Sequence, residues 1–302
     1  MRNLLFVISM VFFVLSGCSS IHLNESDLLL SSGRGQIPDA IPANYRFDEH
    51  FLQRADNSIA YGVSVRSAES RGTVLYFGGN DYSIDNLSAG TIRYFTSLGL
   101  DIFIFDRRGY GRSTGTAQAA YLASDATYIF DFVQQQVCGQ LIVHGHSLGG
   151  FEAAAVAKVR NVSALVLEAT TTNIDEWSSS LVPWYAKPFV TLTVADELRV
   201  LDNNQSVATQ KAPLLLLVGG RDKQTPEYLM RRLYDNSVSS VREYLVVNEA
   251  GHNNILAFNQ AKISYMDFLA TAKHKKIVGG FDDHFNNKKD CVGLGDAFQT
   301  HN

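Results

Sequence analysis

The sequence predicts an α/β fold in which helices cover both faces of a mostly parallel central sheet. Two observations carry this prediction. Short, nearly continuous apolar runs of β-type residues recur along the middle of the chain, and most are separated by helix-like segments of about 15–25 residues. Apolar strands that alternate with helices are typical of a parallel sheet buried on both sides.

The composition agrees with a folded globular protein and argues against several functional classes. The 302 residues are 46% hydrophobic and 19% charged, so neither disorder nor a fibrous repeat describes most of the chain. Lys+Arg 26 against Asp+Glu 30 gives a formal net charge of −4, which provides no broad positive field for nucleic-acid binding. Three cysteines are too few for a fold built on disulfides.

The N-terminal residues have the pattern of a secretion signal. The apolar run 4–15 is shorter than the ~17–25 residues of a membrane-spanning helix and has the length of a signal-peptide core. The run from Leu15 to Cys18 resembles the lipobox of bacterial lipoproteins. This resemblance implies that residues 1–17 are removed and that acyl chains on Cys18 anchor the protein to a membrane of the cell envelope. It implies the outer membrane, facing periplasm or exterior, if the host has two membranes; a plain secretory signal is the alternative.

The predicted domain covers residues 46–275 and is flanked by two polar segments. Residues 18–45 suit a tether with little core of its own, and we expect the tail at 276–302 to be mobile. Cys138 and Cys291 could pair in an oxidising compartment. Because Cys291 lies in the polar tail, we expect both thiols to be free.

Seven strands are predicted in chain order from runs rich in branched and aromatic residues. They cover residues 58–66, 73–77, 101–106, 141–144, 164–167, 214–218 and 243–247. Helical segments between them include residues 119–137 and the Ala-rich stretch 151–159.

The sequence Gly-His-Ser-Leu-Gly, residues 145–149, lies between a predicted strand and a predicted helix. In that context the pattern predicts a nucleophile elbow with Ser147 at its tip. Gly145 and Gly149 are required because side chains beside so sharp a turn would collide with neighbouring elements. The hydroxyl would lie at a helix N-terminus, where the dipole favours developing negative charge.

A serine hydroxyl needs a base to take its proton and an acid to orient that base. Asp222 follows the predicted strand 214–218, and His252 follows the strand 243–247. Because the carboxyl ends of parallel strands share one edge of a sheet, we expect both side chains near Ser147. The sequence therefore predicts a catalytic triad in the chain order Ser, Asp, His.

These motifs resemble the α/β-hydrolase superfamily, and among its members the small-capped bacterial serine hydrolases. Gly-Gly-Asn at 78–80 stands where that family usually has His-Gly-Asn. The resemblance implies an oxyanion hole formed by the backbone N–H groups of Asn80 and Leu148. The stretch 106–113 is similar to the family's turn after its fourth strand, which implies a structural role with Arg108 paired inside the protein.

Residues 170–212 are long enough for a small lid over the serine. Both tryptophans of the chain, Trp177 and Trp184, lie there, and an apolar lid would suit an acyl chain. An ordinary helix that packs these rings into the core is equally consistent with the sequence. His146 occupies the variable position of the elbow and is expected to shape the substrate pocket.

The sequence predicts a lipid-anchored serine hydrolase that cleaves carboxylic esters of a small-molecule substrate through an acyl-enzyme. No His-x-x-x-His, Cys-x-x-Cys or Gly-x-Gly-x-x-Gly pattern occurs, so we expect no metal and no cofactor. A peptidase or acyltransferase using the same triad remains an alternative. A catalytically inactive binding lipoprotein of the same fold is a further one.

Overall fold

A computed structural model describes residues 19–30, 33–35 and 41–278. The predicted signal peptide, Cys18, Cys291 and the chain after residue 278 lie outside these described residues.

Strands and helices alternate along the described chain, much as the sequence predicts. The strands are β1 (Ser19–Leu23), β2 (Arg46–Gln53), β3 (Ile59–Arg66), β4 (Thr73–Phe77), β5 (Asp101–Phe105), β6 (Leu141–His146), β7 (Ala164–Glu168), β8 (Val190–Val194), β9 (Leu214–Gly219) and β10 (Arg242–Val247). The α-helices are α1 (Glu25–Leu28), α2 (Ile84–Ser97), α3 (Ala119–Gln136), α4 (Gly149–Val159), α5 (Ile174–Leu181), α6 (Asn203–Val207), α7 (Glu227–Asn236) and α8 (Asn259–Val278). Short 3-10 turns occupy Asp196–Val200 and Ile255–Ala257.

The central sheet has eight strands in the order β10-β9-β7-β6-β4-β5-β3-β2. Strand β3 runs antiparallel to both β2 and β5, and the remaining pairs are parallel. Strands β4, β7 and β9 are buried at every position, which explains their unbroken apolar sequences. The predicted fold class, an α/β fold with a mostly parallel sheet, is confirmed.

Alternate side chains of each strand enter one of two cores. Val74 and Tyr76 pack with helices α2 and α8 on one face of the sheet. Leu75 and Phe77 pack with α3 and α4 on the other. The helices on both faces bury the sheet and leave its carboxyl edge as the place where loops from several strands meet.

Residues 170–212 contain helix α5, strand β8, a 3-10 turn and helix α6. A third apolar cluster joins this segment to the start of α4, where Leu148 and Phe151 contribute side chains. Its other buried members are Leu29, Ala119, Leu122, Ile174, Val194, Leu198 and Leu201. The predicted lid segment thus packs directly beside the serine elbow.

The segment predicted as a tether differs from the structure. Strand β1 pairs in parallel with β8, and Leu29 is buried in the third apolar cluster. The Glu25 carboxylate accepts a hydrogen bond of 2.7 Å from the N–H of Ala119 at the start of α3. The apolar residues of this short run are Ile21, Leu23 and the three leucines 28–30, and the lid offers them both a partner strand and an apolar surface.

Cys138 corrects a second expectation, that of a free thiol. It is disulfide-bonded in the structure, and the other two cysteines of the sequence lie outside the described residues. Among the described residues, no helix combines the length and the apolarity that crossing a membrane requires.

Candidate active site

The serine elbow lies between β6 and α4, where the backbone makes a sharp turn. Ser147 has a φ of 52°, in the left-handed region that non-glycine residues rarely adopt. A Cβ on Gly149 would lie 2.1 Å from the carbonyl oxygen of Phe77, and one on Gly145 would lie 2.3 Å from that of Gly149. Only glycine fits at these two positions, as the elbow motif requires.

Backbone hydrogen bonds hold the strained turn in place. The Ser147 N–H donates to the carbonyl of Glu168 at 2.9 Å, and the Thr170 hydroxyl donates to the carbonyl of Ser147 at 2.7 Å. Both acceptor and donor come from the end of β7 and the residues that follow it. Strand β7 and the residues after it therefore hold both the N–H and the carbonyl group of Ser147.

The structure brings Ser147, His252 and Asp222 into one line of hydrogen bonds. His252 Nε2 lies 2.9 Å from Ser147 Oγ, and His252 Nδ1 lies 2.8 Å from Asp222 Oδ2. The Asp222 side chain is 1% exposed and the His252 side chain is 9% exposed. Loops after β6, β9 and β10 supply the three residues, as their positions in the sequence predict.

Asp222 is held as a carboxylate. Burial acts to raise its pKa, but hydrogen bonds from His252 and Thr225 outweigh burial and lower the pKa below its ordinary value. The backbone N–H groups of Gln224 and Thr225 also donate to Oδ1, at 2.8 and 3.0 Å. A carboxylate accepts hydrogen bonds only, so the proton of His252 lies on Nδ1 and Nε2 is free to accept from the Ser147 hydroxyl.

His146 holds the loop that carries His252. Its Nε2 lies 2.9 Å from the carbonyl oxygen of His252 and must donate to it, since a carbonyl only accepts. Burial lowers the pKa of His146, which favours the neutral ring with its proton on Nε2. The structure thus gives this side chain a positioning contact, and the expected part of His146 in shaping the substrate pocket stays a prediction.

Two backbone N–H groups remain available beside the serine. Within the part of the chain that the structure describes, neither the Asn80 nor the Leu148 N–H donates to a protein acceptor. A Cβ on Gly79 would lie 3.3 Å from the Ser147 Cβ, so the loop that carries Asn80 passes next to the nucleophile. The Asn80 side-chain oxygen accepts hydrogen bonds of 3.0 Å from the Tyr110 hydroxyl and from the N–H of Leu30.

Arg107 orders this loop, a role that sequence reasoning missed. Its guanidinium is buried and donates to the carbonyls of Gly78 and Gly79 at 2.9 and 3.2 Å. It also forms an ion pair with Glu152 in the first turn of α4. Arg107 thereby ties the loop before Asn80 to the helix that follows Ser147. No side-chain pattern indicates this role, because the arginine contacts main-chain carbonyls.

Arg108 is paired inside the protein, as predicted. Its Nε and Nη2 donate to the two oxygens of Asp125 at 2.8 Å each, and it also contacts Asp56. These bonds connect the turn after β5 to helix α3 and do not involve the residues of the triad.

The two tryptophans of the lid lie in different surroundings. Trp177 is half-buried against the third apolar cluster, and its indole N–H donates to the carbonyl of Gln224 at 2.9 Å, next to the Asp222 loop. The Trp184 side chain is 82% exposed and packs edge-on against Tyr185. Trp184 is therefore not packed into the core, and its place in a substrate pocket stays a prediction.

A second polar cluster lies beneath the elbow. His144 Nε2 is 3.0 Å from the Glu168 carboxylate, both side chains are buried, and Tyr265 stacks on the imidazole. Burial acts to raise the pKa of Glu168, but contact with His144 and nearby His146 lowers it on balance. Among the described residues, no group of three or more His, Cys, Asp or Glu side chains has an arrangement suited to a metal ion.

Comparisons with known proteins agree with this architecture. A family model described as serine aminopeptidase, S33, matches residues 68–210, which include Ser147 but end before Asp222 and His252. The protein bem46 of Schizosaccharomyces pombe is 28% identical over 69% of this chain and 70% of its own length. The zebrafish (Danio rerio) lysophosphatidylserine lipase ABHD12 is 29% identical over 49% of this chain, but the match spans only 42% of that protein.

Among solved structures, an esterase of Pyrococcus furiosus superimposes with a TM-score of 0.64 at 18% identity, covering 80% of this chain and 97% of the esterase. At that identity the likeness concerns the fold. The chain therefore has the fold of the α/β-hydrolases, and the proteins that it is similar to include ones described as a serine aminopeptidase, a lipase and an esterase.

Proposed function

We propose that the protein is a serine hydrolase that cleaves carboxylic esters through a covalent acyl-enzyme. The observation that carries this proposal is the hydrogen-bonded line from Asp222 through His252 to Ser147 at a strained strand-to-helix turn. Strain at a nucleophile is retained where it presents the hydroxyl to a substrate.

The geometry supports the following sequence of steps. Ser147 Oγ attacks the acyl carbonyl carbon while its proton passes to His252 Nε2, and Asp222 stabilises the imidazolium. The N–H groups of Asn80 and Leu148 stabilise the oxyanion. The C–O bond to the alcohol then breaks, and His252 gives its proton to the departing oxygen. Water, activated by His252, hydrolyses the acyl-enzyme to the acid and restores the Ser147 hydroxyl.

The substrate we favour is an ester with an apolar acyl chain. The third apolar cluster extends from Leu148 and Phe151, beside the nucleophile, into the lid. An acyl chain bound along these side chains would be removed from water. The zebrafish relative is named a lipase of lysophosphatidylserine, and the superimposed archaeal protein is named an esterase; both names are consistent with an acyl ester.

We further propose that acyl chains on Cys18 hold the enzyme at a membrane of the cell envelope. The lipobox-like run Leu15 to Cys18 supports this anchor. The first described strand begins at Ser19, so the body of the enzyme would follow its lipid without a flexible spacer.

A second candidate is a peptidase, because the matched family model is described as a serine aminopeptidase. The same nucleophile, base and N–H groups would attack an amide carbonyl, with His252 protonating the departing amine. Turnover of aminoacyl p-nitroanilides that exceeds turnover of p-nitrophenyl esters would favour this candidate.

Replacement of the nucleophile tests the proposal. We expect Ser147→Ala to lower kcat for short p-nitrophenyl esters by about 10⁴-fold or more, and to abolish labelling by a fluorophosphonate probe. Ser124→Ala is the matched control, since Ser124 is exposed on helix α3 and should keep both activities. Full turnover by a folded Ser147→Ala variant would refute the assignment, and an unlabelled wild-type chain would indicate an inactive binding protein.

A further inference from the structure

The lid carries an exposed apolar surface, which we call the lid tip. Its members are four large apolar side chains with their exposed fractions as follows: Leu181 44%, Trp184 82%, Tyr185 64% and Phe189 54%. Leu181 is the last residue of α5, and the other three lie in the turn between α5 and β8. Soluble surfaces rarely group so many large apolar side chains unless they contact a partner or a membrane.

The charge pattern of this surface selects between those occupants. Lys187 is the only charged residue from 177 to 194, in a chain whose formal net charge is −4. Trp and Tyr are enriched where a bilayer meets water, and a lysine beside them can reach anionic headgroups along its apolar stem. The run 177–194 has no acidic residue, and the nearby Asp175 is paired with Arg199, so this surface can approach an anionic bilayer with little repulsion.

The position of the N-terminus gives independent support. Strand β1 pairs in parallel with β8, and Ser19 lies opposite Val190, the residue that follows Phe189. Ser19 is the first described residue of β1, so the described chain begins beside the start of β8. Cys18, the proposed site of acylation, precedes Ser19 directly in the sequence, so an anchor on it would be attached next to the lid tip.

We propose that the lid tip docks on the lipid bilayer that holds the anchor. Trp184, Tyr185 and Phe189 enter the interfacial region, and Lys187 contacts the headgroups. This inference rests on the anchor at Cys18, which is part of the proposed function. In this orientation the lid and the third apolar cluster beside Ser147 face the membrane. Acyl esters can then enter the site from the bilayer.

Tryptophan fluorescence of the acylated full-length protein in phosphatidylethanolamine–phosphatidylglycerol vesicles tests this orientation. In a Trp177→Phe variant, Trp184 is the only tryptophan. We expect its emission to shift to the blue on reconstitution and to be quenched by bromine-labelled lipids, but little by aqueous iodide. The control moves the reporter to another exposed site, away from the lid: Phe51→Trp on β2, combined with Trp177→Phe and Trp184→Phe, should remain open to iodide.

Vesicle flotation separates a failure of the anchor from a failure of the orientation. A chain that does not float with vesicles contradicts the anchor and the docking together. A chain that floats but leaves Trp184 open to iodide overturns the docking alone. Shielding of Trp184 that grows with protein density, without quenching by bromolipids, would indicate contact between two chains and would also overturn it.

A second variant links the lid tip to catalysis. Tyr185→Ser combined with Phe189→Ser should lower turnover of an ester presented in vesicles several-fold and leave turnover of a water-soluble short ester unchanged. Equal turnover of the vesicle-borne ester by variant and wild type would contradict the proposal. Loss of both activities would place these side chains in the fold of the active site and would contradict it as well.

Discussion

Thr225 connects the acid and the base of the proposed triad. Its hydroxyl oxygen lies 2.6 Å from Asp222 Oδ2, 3.3 Å from His252 Nδ1 and 3.0 Å from the carbonyl oxygen of Ala169. The hydroxyl has one proton to donate, and the ionised Asp222 is the stronger acceptor. Thr225 therefore helps to keep the carboxylate ionised and directed at the imidazole.

We expect Thr225→Val to lower kcat for a p-nitrophenyl ester by about ten-fold with little change in KM. Losing one hydrogen bond to a charged group costs about 1.5–3 kcal/mol, and a loss of ~1.4 kcal/mol in the transition state corresponds to ten-fold in rate. Steady-state kinetics of the variant measure both constants. Thr225→Ser keeps the hydroxyl and should stay close to wild type. Equal losses of kcat in Thr225→Val and Thr225→Ser would mean that the hydroxyl is not the cause, and would contradict its proposed role.

The residues that the structure brings together as the sequence predicts share a property: each follows a buried apolar strand. Ser147, Asp222 and His252 are therefore placed at one sheet edge by topology before any distance is known. Thr225 and Arg107 could not be predicted in this way, because their partners lie in loops whose relative positions emerge only on folding. Trp184 shows the limit of apolarity as a guide, because an aromatic side chain of the lid can be exposed as well as buried.

At the scale of elements, the strands with unbroken apolar sequences were predicted within one or two residues. Strand β2 was missed because it lies at the edge of the sheet, where half-exposed positions carry charged side chains. Strands β1 and β8 pair only with each other among the described strands, and neither has the length or apolarity of a core strand. Their pairing depends on the lid, so no local pattern indicates it.

Helix α1 supplies a cap for a helix that begins 94 residues further along the chain. Gln118 precedes α3 without a side-chain capping bond of its own, and the Glu25 carboxylate accepts from the Ala119 N–H instead. A carboxylate at a helix N-terminus satisfies an orphan donor and interacts favourably with the helix dipole. The contact holds the N-terminal segment to the enzyme body.

We expect Glu25→Ala to lower the free energy of unfolding by about 1 kcal/mol, the usual value of an N-terminal cap. Glu25→Gln should lose less, because the amide oxygen still accepts but carries no charge. Urea denaturation followed by circular dichroism measures both. Asp27→Ala is the matched control, since Asp27 accepts from the N–H of Asn24 within its own segment. A larger loss for Asp27→Ala than for Glu25→Ala would contradict the capping role.

At the scale of the whole molecule, the strand order explains why chain-distant residues can form one site. Strands β6, β9 and β10 lie within four neighbouring parallel strands, β10-β9-β7-β6, and their carboxyl ends point the same way. This convergence follows from the α/β pattern and was predictable. The attachment of the N-terminus to the lid was not, because it depends on tertiary packing between segments about 170 residues apart.

The side chains of His50 and Asp106 make the free energy of unfolding depend on pH in opposite directions. Burial, followed by the nearby Arg66, lowers the pKa of His50 to about 4. Burial raises the pKa of Asp106 to about 6, although hydrogen bonds from the backbone of Arg112 and Ile84 oppose it. Between pH 4 and 6 the unfolded chain binds more protons at His50, whereas the folded chain binds more at Asp106.

Stability from His50 is therefore present above its unfolded pKa of about 6.5 and is lost as pH falls towards 4, while stability linked to Asp106 falls as pH rises through the same window. As the pH falls from 6.5 to 4.5, the free energy of unfolding should decrease less in His50→Gln than in wild type. We expect a difference of about 1–2 kcal/mol once solvent screening is allowed for. Glutamine can still bond the Ser64 hydroxyl that His50 contacts at 2.9 Å.

Urea titrations at several pH values measure this difference. Because Asp106 is present in both proteins, its opposing slope cancels in the comparison, and the variant alone should show a stability that rises less steeply, or falls, with increasing pH. Above pH 7 the two curves should run parallel, since His50 is neutral in both folded and unfolded wild type there. Parallel curves down to pH 4.5 would mean that His50 takes up its proton as easily in the fold as in the unfolded chain, and would contradict the lowered pKa.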